Sequence, residues 1–357
     1  MRSMLHGTDF ASYAGRFVWL DINFDDARNE VYLAKHVAAF PVVSIIDPET
    51  EEVTRMWSGT ATREQLTAFL DGNSDAALRR GDALLGKGDA AGAVKAYDEA
   101  LAAGANREHV VEQLATALQM GDTKTCAIRL AVEAPKLPRA HTFVEVAIAG
   151  AVCAGQDPGE AAGDDGKRLE ALANEALALP IAGEDDHYQL FEALYMLRKD
   201  ASDEAGAKAV AERYLAYVDQ RPPPATDDER MARDLARVRA ATKLGAPERV
   251  IATLEASEKL LANDAGASAR LATAYSAAGK LDDVIAATTR GLERHPTPTE
   301  AARMLAMRAT AHAKRGDVVA ARADLDAGIA IAAKIPVAMV RDGTTAQLQR
   351  QLAALGQ

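Results

Sequence analysis

Apolar positions are spaced in two ways along the chain. Up to Gly72 they come in short runs. RFVWLDI (Arg16 to Ile22) and VVSII (Val42 to Ile46) are rich in strand formers, and DDARNEVYLAKH between them has helical spacing with Asp25 or Asp26 as its cap. DPET places Pro48 at the favoured second position of a turn, and EEVTRMWSG follows as a more polar strand nearer an edge. Thr62 with Gln65 forms a capping box for TREQLTAFLD, a helix that stops at Gly72. The expected order is strand, helix, strand, hairpin, strand, helix. Runs apolar on both faces predict a sheet covered on both sides.

Beyond Gly72 the spacing becomes helical and repeats itself. Turn glycines recur at Gly88, Gly121 and Gly155, 33 and 34 residues apart, and at Gly245, Gly279 and Gly316, 34 and 37 apart. In AALRRGDALLGKGDAAGAVKAYDEAL, Gly81 and Ala93 let two helices approach, Gly88 ends the first, and Tyr97 is expected to fill the gap to the next repeat. Asp75 to Ala105 therefore resembles the tetratricopeptide family, whose period is about 34 residues. LATAYSAAGKLDDVIAATTRGLERHP is a later copy, with Tyr275, Gly279 and Pro296 in register. Two loops, GQDPGEAAGDDGKR and DQRPPPATDDER, break the register between Gly155 and Gly245, where Asp200 stands in place of a turn glycine. The fold class expected is mainly α. It comprises an α-solenoid of about seven tetratricopeptide-like helix pairs over residues 74–357, preceded by a small α/β domain over residues 1–73.

Phe40-Pro41 opens the second run and Gly59 follows the third, so the first 73 residues resemble the C-terminal two-thirds of a thioredoxin-like domain. That resemblance implies a cis bond before Pro41 and a peptide-binding loop at Phe40 and Pro41. It also implies a Cys-x-x-Cys a few residues before Met1 and a missing strand between RFVWLDI and VVSII. Either the chain starts inside the domain, or the domain has lost its chemistry.

Composition narrows the function. Aromatics make up only 5% against 48% hydrophobic residues, so burial rests on many small side chains, which suits helix on helix. A net charge of −11 without a basic run argues against nucleic acid as a partner. No apolar window is long enough to span a membrane, and MRSMLHGTDF lacks a signal-peptide core. The compartment expected for the chain as it stands is cytoplasmic, or periplasmic if a signal peptide lies upstream of Met1. Cys126 and Cys153 are too far apart for a Cys-x-x-Cys and read as free, buried, small hydrophobes. GQDPGEAAGDDG lacks the alternating ligands of a calcium loop, and Asp185-Asp186-His187 fits a helix start favoured by the dipole. No residue is assigned to catalysis, a metal or a cofactor.

The partner expected is a protein or peptide. In tetratricopeptide arrays the first helix of each pair lines a groove. Counting back from the turn glycines puts Arg239, Lys243, Arg270, Thr273, Arg303, Met307, Thr310 and Lys314 there. This basic stripe in an acidic chain reads either as ordinary solvated charges paired with neighbouring acids or as a site for an acidic peptide or a C-terminal carboxylate. The reading favoured is a binding scaffold, and the alternative is a thiol–disulfide oxidoreductase whose cysteine pair lies upstream of Met1.

Overall fold

The computed structural model describes residues 8–20, 22, 29, 42–58, 61, 63–72, 76–156 and 163–355. The helix expected over 25–36, Phe40-Pro41, Gly59 and Thr62 lie outside them.

A 3-10 helix, Thr8–Tyr13, precedes strands β1 (Val42–Ile46) and β2 (Val53–Ser58) and helix α1 (Arg63–Asp71). The two strands pair antiparallel, with Val43 opposite Trp57 and Ser44 opposite Met56. Asp47 sets their turn, its carboxylate accepting from the Glu49 and Thr50 amides at 2.8 and 3.1 Å. RFVWLDI does not form the expected strand. Phe17 makes a lone bridge to Ala14, and Val18 and Leu20 stand 89% and 72% exposed. Among the described residues β1 pairs with β2 alone, so no sheet edge holds that run. Phe10, Tyr13, Trp57, Leu66, Phe69 and Leu70 close a small apolar core.

Fifteen further helices follow among the described residues: α2 (Ala76–Gly86), α3 (Ala90–Ala102), α4 (Arg107–Met120), α5 (Thr123–Glu133), α6 (His141–Gly155), α7 (Asp164–Leu177), α8 (Glu184–Asp200), α9 (Glu204–Gln220), α10 (Asp227–Leu244), α11 (Glu248–Leu260), α12 (Ala265–Ala277), α13 (Leu281–Glu293), α14 (Pro298–Lys314), α15 (Val318–Ala332) and α16 (Ala338–Ala354). No described strand follows Ser58. The chain divides into two compact units, the first ending at Ala207 and the second running from Lys208. Within each, a helix packs on its successor, and the first helices of neighbouring pairs touch, as α4 touches α6 and α12 touches α14.

Small residues set these distances. A Cβ on Gly81 would lie 2.3 Å from the Tyr97 ring. Tyr97 therefore packs back into its own hairpin, not toward the next repeat, and its hydroxyl donates to buried Asp82 at 2.9 Å. Gly88, Gly245, Gly279 and Gly316 end their helices at φ between 72° and 83°, which glycine adopts without a Cβ clash. At the pair lacking a glycine, the left-handed residue is Ser202 (φ 59°), not Asp200. The Asp203 amide still closes onto the Arg198 carbonyl at 2.8 Å, as Lys280 does onto Tyr275 at 2.9 Å.

Cys126 and Cys153 are buried as expected, but they are not free. They form a disulfide joining α5 to α6, with Cα atoms 5.9 Å apart. Their separation of 27 residues hid the pairing, because facing positions on two packed helices are not neighbours in sequence.

Candidate peptide-binding groove

Helices α10, α12 and α14 end at equivalent glycines, so equal offsets from these glycines fall on one face. Six places before the glycine stand Arg239, Thr273 and Thr310, and two places before stand Lys243, Ala277 and Lys314. Arg303 lies one turn into α14. Thr273, Arg303, Thr310 and Lys314 are exposed, whereas Arg239, Lys243 and Met307 are half-buried. Leu235 adds an apolar position at 39% exposure.

The candidates are not equivalent. The Arg270 guanidinium bonds Asp264 at 2.8 Å with its side chain only 15% exposed, so it belongs to the packing rather than to an open cationic stripe. Thr273 and Thr310 donate their hydroxyls to the Ala269 and Ala306 carbonyls, each at 2.9 Å, and offer a ligand only lone pairs. Arg303 and Lys314 have no ion-pair partner among the described residues. They contrast with the arginines that face other helices. Arg290 bonds Glu258 at 2.8 Å, Arg308 bonds Asp324 at 2.6 Å, and Arg315 bonds Asp282.

Between α11, α12 and α13 lies a cleft of about 370 Å³ lined by Glu255, Glu258, Lys259, Leu271, Tyr275, Arg290 and Arg294. Its charges answer one another. Tyr275 donates to Glu255 at 2.6 Å, and burial together with that acid raises its hydroxyl pKa. Glu258 meets Arg290, Arg294 and Ser268; against the cost of burial, these donors lower its pKa. The cleft is a self-contained ion network.

In the first unit the equivalent face is covered. Val111, Glu112, Ala115 and Leu118 of α4, and Thr142, Val146 and Ala149 of α6, are all buried. Trp57 of β2 meets the His109 ring of α4 edge-on at 4.7 Å. Gln65 of α1 donates to Glu112 at 2.8 Å and to the Thr142 hydroxyl at 2.9 Å, and Thr142 donates to Glu112 at 2.9 Å. Burial lowers the His109 pKa to about 4. Sequence reading missed Glu112, Gln65, His109 and Trp57. The available signal was Glu112 at the offset that carries Arg270 in α12.

Asp185-Asp186-His187 opens α8 as a cap, with the Gly183 amide donating to Asp186 at 2.7 Å. No cluster of metal-ligating side chains occurs among the described residues.

No family model matches the chain, and no curated protein does. Two solved structures are similar to this chain at low identity. The crystal structure of a tetratricopeptide repeat protein from Parabacteroides merdae is 12% identical, covers 76% of this chain and 97% of its own, and has a TM-score of 0.44. The TPR2AB-domain:pHSP90 complex of yeast Sti1 is 15% identical, covers 80% of this chain and 100% of its own, and has a TM-score of 0.32. The fold is mainly α, with stacked helix pairs in each unit and a small two-stranded sheet ahead of them.

Proposed function

We propose that the protein is a binding scaffold that receives an acidic, extended segment of a partner protein along α10, α12 and α14. Arg239, Lys243, Arg303 and Lys314 supply the cations, with Leu235 and Met307 as apolar contacts between them. The observation that carries this reading is the open face of the second unit. Among its candidates Arg303 and Lys314 are exposed and basic in a chain of net charge −11, and neither has an ion-pair partner among the described residues. Each exposed contact contributes about 0.2–1 kcal/mol, so binding is modest and weakens with salt. A fluorescent glutamate-rich peptide titrated against the full chain tests it. Arg303→Glu with Lys314→Glu should weaken binding at least tenfold at low salt while leaving the helical signal unchanged. Affinity indifferent both to that reversal and to salt overturns the reading.

The disulfide supports an oxidising compartment, since paired cysteines persist where thiols are not kept reduced. A second reading follows from the order β1, β2, α1, with Trp57 edge-on to Phe69 at 6.2 Å. A hairpin followed by a helix packed on it is compatible with the C-terminal part of a thioredoxin-like module, in which Phe40-Pro41 would dock a peptide. Thiol–disulfide exchange would then need a cysteine pair beyond this sequence, because Cys126 and Cys153 are buried in their own bond. Insulin reduction by this chain above the dithiothreitol background would refute that assignment.

A further inference from the structure

Glu112 is the most unusual acid in the first unit. It is 4% exposed at the centre of the face covered by β2 and α1. One carboxylate oxygen takes both available donors, the Gln65 amide and the Thr142 hydroxyl. The other, Oε1, is buried with no hydrogen-bond partner. The charged groups that face it are acids: Glu145 on α6 and Glu108 one turn back on its own helix. His141 lies 3.7 Å from Glu145, and His109 packs against Trp57. The group that α1 presents is the neutral Gln65. A buried carboxylate with only neutral donors on one oxygen and acids around it is costly when ionised.

We propose that β2 and α1 form an intramolecular latch on the first-helix face of the first unit, and that its grip depends on a proton carried by Glu112. Three observations carry this. Gln65 carries α1 into the polar centre of that face, donating to both Glu112 and Thr142. Gln65 of α1 closes over Glu112, which is 4% exposed, so docking adds to its burial. The orphaned Oε1 has room for a proton without losing an existing bond.

The direction follows from linkage. Burial, with Glu145 and Glu108 adding to it, raises the Glu112 pKa from 4.5 to about 8. Released to water, the group returns toward its ordinary value. The docked state therefore holds the proton more tightly. Docking is strongest below pH 4.5 and weakens as pH rises toward 8.

Hydrogen exchange on the full chain tests it. Protection factors for the α1 amides, corrected for intrinsic rates, are measured at pH 5.5 and 7.5 with α7 as internal reference. The α1 protection should fall by roughly ten- to a hundredfold relative to α7. Glu112→Gln, which fixes the neutral form, should abolish the fall. If that variant does not fold, Glu145→Gln should make the fall smaller by lowering the Glu112 pKa. Constant wild-type protection, or a fall that survives Glu112→Gln, overturns the latch.

Discussion

Reducing the Cys126–Cys153 bond should weaken the first unit without altering its fold. The bond joins α5 to α6 across a separation of 27 residues. Releasing a loop of that length restores chain entropy to the unfolded state worth about 3.5 kcal/mol at 25 °C. The two thiols still fit the same buried space, so no cavity is added. With a guanidinium slope of about 3–4 kcal/mol per molar, the unfolding midpoint should drop by about 1 M. Trp57, fully buried in the first unit, reports that transition once Trp19 is replaced by Phe. The second unit contains neither cysteine, so a probe placed there should move far less. Equal midpoints with and without reductant, or two titratable thiols in the unreduced denatured chain, would refute the reasoning.

Two further outcomes concern the first helix pair. Gly81→Ala should cost about 2–3 kcal/mol, because its Cβ would sit 2.3 Å from a Tyr97 ring held by Asp82. Gly88→Ala meets no atom within 4 Å and should cost about 1 kcal/mol, from its left-handed backbone alone; the two denaturation curves separate the mechanisms. Burial raises the Asp82 pKa from 3.8 to about 7, against the opposing Tyr97 hydrogen bond. The folded state thus holds this proton more tightly, and the contribution is complete below pH 3.8 and lost as pH rises through 7. Denaturation midpoints across that range should fall, and Asp82→Asn should flatten the trend.

The repeat was legible because it rests on backbone geometry. A left-handed turn favours glycine, and a close helix crossing favours glycine or alanine, so Gly88, Gly279 and Ala93 mark the fold directly. Where another residue took the left-handed turn, as at Ser202, the sequence pointed two residues too early. RFVWLDI failed as a strand because its apolarity reports a preference for burial, whereas a strand also needs a partner edge. The groove was legible only in register. Sequence could place Arg270 on the right face but could not see Asp264 beside it, since that bond depends on how the loop before α12 turns back. The Glu112 cluster was hidden for the same reason: its partners come from α1, α4 and α6, far apart in the chain.

The first helices of the two units carry different charges. Glu108, Glu112 and Glu145 stand on α4 and α6, whereas Arg239, Lys243, Arg303 and Lys314 stand on α10 and α14; counted back from the turn glycines, Glu108 and Arg303 share an offset. An acidic segment laid on the first face would meet like charges even with the module released. It would also have to displace Trp57 from His109 and leave Thr142 without Gln65. On the second face the same segment meets Arg303 and Lys314, which are already exposed to water, so little desolvation opposes contact with them. Selectivity of this kind needs a repulsive site as much as an attractive one. Burial is the main reason the Glu112 pKa is raised, and Glu145 and Glu108, which make the first face a poor receptor for an acidic ligand, add to it and so to the pH sensitivity of its cover.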